Sequence, residues 1–155
     1  MNKFDDLRKT TQDILIPIRI VLFGTQAATA GNYGVIDNIP FNCTLVSASE
    51  SHAVAGNDAG AVTLDLEKLT GTQAPGAGVS VMSSTWNLKG AINTVVAKKP
   101  NNTINSNIPN RYFKKGDRLA LLLSGTPTAV GTVVVVAIFK IYFNQLPIYI
   151  GDEVI

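Results

Sequence analysis

Ala61-Val62-Thr63-Leu64-Asp65-Leu66-Glu67-Lys68 is the stretch that decides the fold class. Val62, Leu64 and Leu66 alternate with Thr63, Asp65 and Glu67, so an extended backbone puts the apolar set on one face and the polar set on the other. A helix would wind both sets around its circumference. A half-buried strand is therefore predicted, with Asp65 and Glu67 on a solvated face. Phe41 to Ser47 repeats the pattern, with Phe41, Cys43 and Leu45 on one face and Asn42, Thr44 and Val46 on the other. Ile16, Ile18, Ile20 and Leu22 alternate with Pro17, Arg19, Val21 and Phe23. Pro17 has no N–H for a ladder, which directs this strand to a sheet edge or makes the proline its starting point.

Ile92 to Ala97 and Arg118 to Leu123 are shorter β-compatible runs bounded by turn-forming residues. Thr132 to Phe143 is longer, and its β-branched start from Thr132 to Val136 disfavours helix. Such a run suits a strand buried on both faces, central in a sheet or at a subunit interface. Between the runs lie loops rich in Gly, Asn, Thr, Ala or Pro: 24–34, 52–60, 71–78, 100–110 and 124–131. Only Asn2 to Asp13 and Val79 to Leu88 could form short helices, and neither carries a clear apolar stripe. The expected architecture is all-β: a single jelly-roll-like antiparallel β-sandwich over 14–143, with an N-terminal extension 1–13 and a C-terminal arm 144–155.

The chain has 155 residues, 46% hydrophobic and 15% charged, against roughly 25% charge in an average soluble domain. That deficit predicts a surface that is largely neutral or covered by partners. The net charge of +2 is scattered apart from the Lys98-Lys99 and Lys114-Lys115 doublets, so no clustered basic footprint for nucleic acid is present. The charged N-terminal stretch and the break at Pro17 and Arg19 make a poor signal peptide. The most apolar run, Thr132 to Phe139, is far shorter than the roughly 20 residues of a membrane-spanning helix. These features predict a soluble chain, made in a cytoplasm, with no membrane partner.

Chemistry-bearing residues are sparse. Cys43 is the single cysteine and His52 the single histidine, which leaves no intrachain disulfide and too few nitrogen and sulfur ligands for zinc. His52 lies in a polar stretch near Asp58, but the nucleophile elbow G-x-S-x-G is missing, so an ordinary loop histidine is expected. Asp65 and Glu67 share one strand face and are read as solvated rather than as a glycosidase pair. Asn57-Asp58-Ala59-Gly60 has too few acids for a tight calcium loop and reads as a turn. Asn42-Cys43-Thr44 and Asn101-Asn102-Thr103 match the glycosylation pattern by chance, and the glycines at 71, 76 and 78 lack the Lys-Ser or Lys-Thr of a phosphate loop. Lys115-Gly116-Asp117-Arg118 is a turn leading into a strand, with an Asp able to bond its own turn backbone. No catalytic, cofactor-binding or metal-ligating residue is assigned, and no cofactor is expected.

Four pieces occur together: Gly31-Asn32-Tyr33-Gly34-Val35-Ile36, Ile39-Pro40-Phe41-Asn42-Cys43-Thr44-Leu45, Val62 to Lys68, and Lys115-Gly116-Asp117-Arg118-Leu119. Their order and spacing, over roughly 27–142, resemble the β-sandwich accessory proteins of tailed-phage virions: capsid decoration proteins, head-fibre subunits and tail-appendage modules. The resemblance implies a non-enzymatic virion protein, made in the host cytoplasm, often trimeric, with the major capsid protein or other virion proteins as partners. It brings no catalytic residues, and the two ends of the chain lie outside it.

From the residues themselves, Asn144-Gln145 interrupts the preceding strand, so Leu146, Ile148, Tyr149 and Ile150 are expected to leave the domain's own core and contact a neighbouring subunit or the virion. The competing expectation is that this arm folds back as one more strand of its own sandwich. A carbohydrate-binding module of similar fold is the other functional class, with Trp86, Tyr33 and Tyr112 as the aromatic candidates and core packing as their alternative.

Overall fold

The computed structural model describes residues 14–26, 32–105, 108–141, 149–150 and 153–154. The long strands are β1 (Ile14–Thr25), β2 (Asn32–Asn38), β3 (Cys43–Val54) and β4 (Val62–Leu69). Short pieces follow: β5 (Val79–Ser80), β6 (Trp86–Asn87), β7 (Val96–Lys98), β8 (Ile104–Asn105), β9 (Ile108–Pro109) and β10 (Tyr112–Phe113). Two more long strands, β11 (Arg118–Gly125) and β12 (Gly131–Ile141), precede the short β13 (Tyr149–Ile150) and β14 (Glu153–Val154). No α-helix occurs among the described residues. The candidate helix 2–13 lies outside them.

Two antiparallel sheets carry the fold. The first runs β1-β12-β3-β10 with β7 also on β3, and the second runs β2-β11-β4-β5 with β6 also on β4. The first four long strands thus alternate between the sheets, β4 and β11 then pair within the second, and each sheet joins strands distant in sequence. The inner faces meet in one core. Val62, Leu64, Leu66, Leu119, Leu121 and Leu123 of one sheet pack against Leu45, Val133, Val135, Ala137 and Phe139 of the other. Phe113 meets Phe139 edge to face, with centroids 5.3 Å apart and planes at 85°. Trp86, fully buried, donates its indole Nε1–H to the Val96 carbonyl at 2.8 Å. Because β6 belongs to one sheet and β7 to the other, this bond ties the two layers together. The all-β sandwich expected from the alternating segments is the fold observed.

The Lys114–Asp117 turn forms as read: Asp117 N–H donates to the Lys114 carbonyl at 3.0 Å, and Lys114 N–H donates to Asp117 Oδ2 at 2.8 Å. Gly116 sits there at φ 93°, a left-handed conformation that glycine adopts without a Cβ penalty. Gly125 ends β11 under a stricter demand, since at φ 90° a Cβ would lie 1.9 Å from the Ala61 carbonyl oxygen.

Several expectations are corrected. Val79 to Leu88 is not helical, because its backbone adds to the edge of β4: Val81 N–H donates to the Leu66 carbonyl and Leu88 N–H to the Val62 carbonyl. Glu67 is buried rather than solvated, and its Oε2 accepts the Gly76 N–H at 2.7 Å, so the carboxylate anchors the 71–78 loop. Asp65 is half-buried, and burial pushes its carboxyl above the ordinary range. β12 is central, between β1 and β3, but is not buried on both faces: Val133, Val135, Ala137 and Phe139 are fully buried and Val134, Val136 and Ile138 only partly. Of the run 92–97 only the end joins a sheet, while Ile92 and Val95 are exposed.

Candidate functional site

Sheet β1-β12-β3-β10 has a core face and an outer face, and the second is unusual for a surface. Outward from β1 come Leu15, Pro17, Arg19, Val21 and Phe23. Opposite them on β12 lie Lys140, Ile138, Val136 and Val134, and across on β3 come Ser47, Ser49 and Ser51. The centre of this face is a β-branched stripe flanked by small hydroxyls. At its margin Leu15 is 56% exposed and Phe23 82% exposed. As the proline suggested, β1 is an edge strand, pairing with β12 on one side and with no other described strand. A long edge strand presents unpaired backbone groups to other chains, and only Pro17 and the charged Arg19 blunt this one.

Of the four arm residues expected to dock, Leu146 and Ile148 lie outside the described residues. The backbones of Tyr149 and Ile150 form β13 and pair with Val154 and Glu153 of β14 as a separate two-stranded sheet. A two-stranded ladder is marginal in water by itself.

The interior holds a polar pair that the sequence reading placed in a loop. β3 runs through to Val54, and its ladder with β12 skips one residue at Val46, between Leu45 opposite Phe139 and Ser47 opposite Ile138. That bulge shifts the inward set from Cys43 and Leu45 to Ala48, Glu50 and His52. Glu50 and His52 are each 2% exposed, and Nδ1 and Oε1 share a hydrogen bond of 2.8 Å. Burial raises the Glu50 carboxyl above its ordinary range, partly offset by the His52 hydrogen bond and charge. His52 Nε2 is buried without a partner. The imidazole thus pairs with Glu50 rather than Asp58, inside the core. The signal was present in Ser47-Ala48-Ser49-Glu50-Ser51-His52, a period of two written in small and polar residues.

Other chemical candidates resolve locally. Burial, with the Asp117 charge second, pushes the Cys43 thiol up to about 12, so it stays protonated and unreactive near neutrality. At the loop 57–60, Lys89 Nζ donates to the Asp58 and Gly60 carbonyls, the second at 3.2 Å, so an ammonium sits against the oxygens a calcium would need. Among the described residues no group of three His, Cys, Asp or Glu side chains is placed to hold a metal. Trp86, offered as a sugar platform, is core.

No protein-family model matches the chain, and no curated protein sequence matches it. Solved structures do. A chain from the capsid of Ralstonia phage GP4 superposes with a TM-score of 0.58 at 17% identity, over 86% of this chain and 87% of that one. A chain from the capsid asymmetric unit of cyanophage Pam1 gives 0.50 at 11% identity, over 84% and 86%. The chain shares its fold with components of phage capsids. In both cases the likeness spans nearly the whole of each chain, so it is a match of whole chains of similar length.

Proposed function

We propose that this chain is a non-enzymatic structural protein of a tailed-phage virion, a capsid decoration or head-fibre subunit working as a homo-oligomer, with a trimer favoured. The observation that carries this reading is the end-to-end match to chains of similar size taken from two phage capsids. The outer face of the β1-β12-β3 sheet supports it, because a β-branched stripe beside an edge strand that no other described strand pairs with is suited to being covered. A stable interface buries about 800 Å² per partner. Leu146, Ile148, Tyr149 and Ile150 are proposed to reach a neighbouring subunit or the capsid, since the β13-β14 ladder needs a surface to pack on. The buried, protonated Cys43 thiol and the buried Glu50–His52 pair fit a structural role.

Size-exclusion chromatography with light scattering, on the full chain and on a chain ending at Phe143, tests assembly. Immunogold imaging of particles tests location. The expected results are a trimeric mass that falls on truncation and label spread over capsid faces or fibres. A monomeric full-length protein that also fails to bind particles overturns the reading, and label confined to the tail replaces it with a tail appendage.

A further inference from the structure

At the end of the sandwich where β4 finishes and β10 begins, a cleft of about 270 Å³ opens between the two sheets. Its polar lining is Lys68, Thr70, Asn110, Tyr112, Lys114 and Asp117. Lys68 is the unusual member. Its ammonium is half-buried, donates one hydrogen bond to the Tyr112 carbonyl at 2.9 Å, and lies 5.9 Å from the centre of the Phe113 ring. It forms no ion pair with any described residue. Burial lowers its pKa, with Asp117 opposing and Lys114 adding to the effect. Asp117 is the nearby counter-charge but makes no direct ion pair with the ammonium, so its burial is only partly offset, and two of its three N–H donors remain unused by the fold. Lys114, exposed on the turn, adds a second positive charge at the rim.

The cleft is not purely cationic. Asp117 spends Oδ2 on the Lys114 N–H, and its Oδ1 makes no bond to a described residue. A ligand that were only a carboxylate would meet that oxygen as a repulsion. One carrying hydroxyl donors beside a carboxylate would use both signs of charge, with the amide of Asn110, the hydroxyl of Thr70 and the ring of Tyr112 as further contacts. The volume falls just under the roughly 300–1,000 Å³ of small-molecule pockets, room for one ring and not for a chain. We propose that this cleft binds a single uronic acid unit of an acidic polysaccharide, its carboxylate held by Lys68 and Lys114 and its hydroxyls by Asp117 and Asn110. This site is separate from the outer sheet face, and the proposal stands whether or not the chain assembles.

The test is NMR titration of the full chain with glucuronate and galacturonate, with glucose, acetate and inorganic phosphate as probes of the separate parts. Uronates should shift the amide signals of Tyr112, Lys114 and Asp117 and bind at least roughly tenfold tighter than glucose or acetate, as expected for one additional charge-assisted contact or hydroxyl set. Lys68→Met should weaken uronate binding by roughly tenfold or more. Lys114→Gln, at an exposed position, supplies the same reading if Lys68→Met fails to fold. Failure of both uronates to shift these signals overturns the proposal. Binding of acetate, phosphate or glucose as tightly as uronate overturns it too, because each would mean that charge or hydroxyls alone account for the contact.

Discussion

Val135 and Val136 are adjacent residues of the same kind in one strand, yet one is fully buried between two sheets and the other lies on a face that this chain only half covers. On the inner side, Val133, Val135, Ala137 and Phe139 meet leucines from the second sheet. On the outer side, Val134, Val136 and Ile138 lie opposite Val21, Arg19 and Pro17 and a row of serines. The inner valines are accounted for by the fold of one chain. The outer ones keep the same β-branched, apolar character with no described strand layered over them, which is the feature behind the assembly proposed above.

Substitutions on the two faces should separate these roles. The largest effect is expected from Phe139→Ala, which removes a buried ring stacked edge to face on Phe113 and should cost about 3–5 kcal/mol in denaturant unfolding. A loss under about 1 kcal/mol would mean that the inner face is not packed as described.

His52→Ala, on the same inner side opposite Val133, should cost about 1–3 kcal/mol through the abandoned Glu50 partner and leave particle binding by the folded protein intact. A folded His52→Ala protein that no longer binds would place the pair in function and not in the core.

The same pair should make inner-face stability depend on pH. Burial raises the Glu50 carboxyl above its ordinary 4.5, so the folded state keeps a proton that the unfolded chain releases first. Its contribution is therefore complete below about 4.5 and is lost as pH rises through the raised value. Relative to Glu50→Gln, whose amide does not titrate, the unmodified protein should lose unfolding stability across that window. Parallel curves for the two proteins would contradict the buried, raised carboxyl.

The smallest effect on stability is expected outside. Replacing Val134 and Val136 together by Thr keeps the branched shape on a partly wet surface and should change unfolding by less than about 1 kcal/mol. Light scattering should nonetheless show a smaller assembly. An unchanged mass would free this face of the role proposed for it.

How much of this was legible depended on whether the period of two was written in hydrophobic letters. Val62 to Glu67 announced β4, and Pro17 announced the edge, because hydrophobic alternation and a missing N–H are local signals. Ser47 to His52 has the same period in small and polar residues, so the predicted strand stopped at Ser47 and the loop began at His52, since the bulge at Val46 that turns Glu50 and His52 inward is set by the partner strand. Val79 to Leu88 was ambiguous for a related reason: two-residue strands are defined by the neighbour they add to, here β4. Trp86 was read first as a packing residue and is one, but its hydrogen-bond partner was not legible, because its place depends on Val96 in the opposite sheet. The cleft was invisible as a whole, since Lys68 and Lys114 lie far apart in sequence and converge only when the sheets stack.

The pairing of early strands with a late one also bears on how the chain is made. The centre of the first sheet is β12, and its neighbours β1 and β3 both come from the first third of the sequence. With translation at about 5–20 residues per second, β1 waits roughly 5–20 s for the strand that will pair with it. Through that interval Ile18, Ile20 and Leu22 have no sheet to join, and pairings this distant form slowly even in a finished chain. A nascent chain stalled before Gly131 therefore holds β1 and β3 without the strand that pairs with both, and the first sheet is complete only once β12 has left the ribosome.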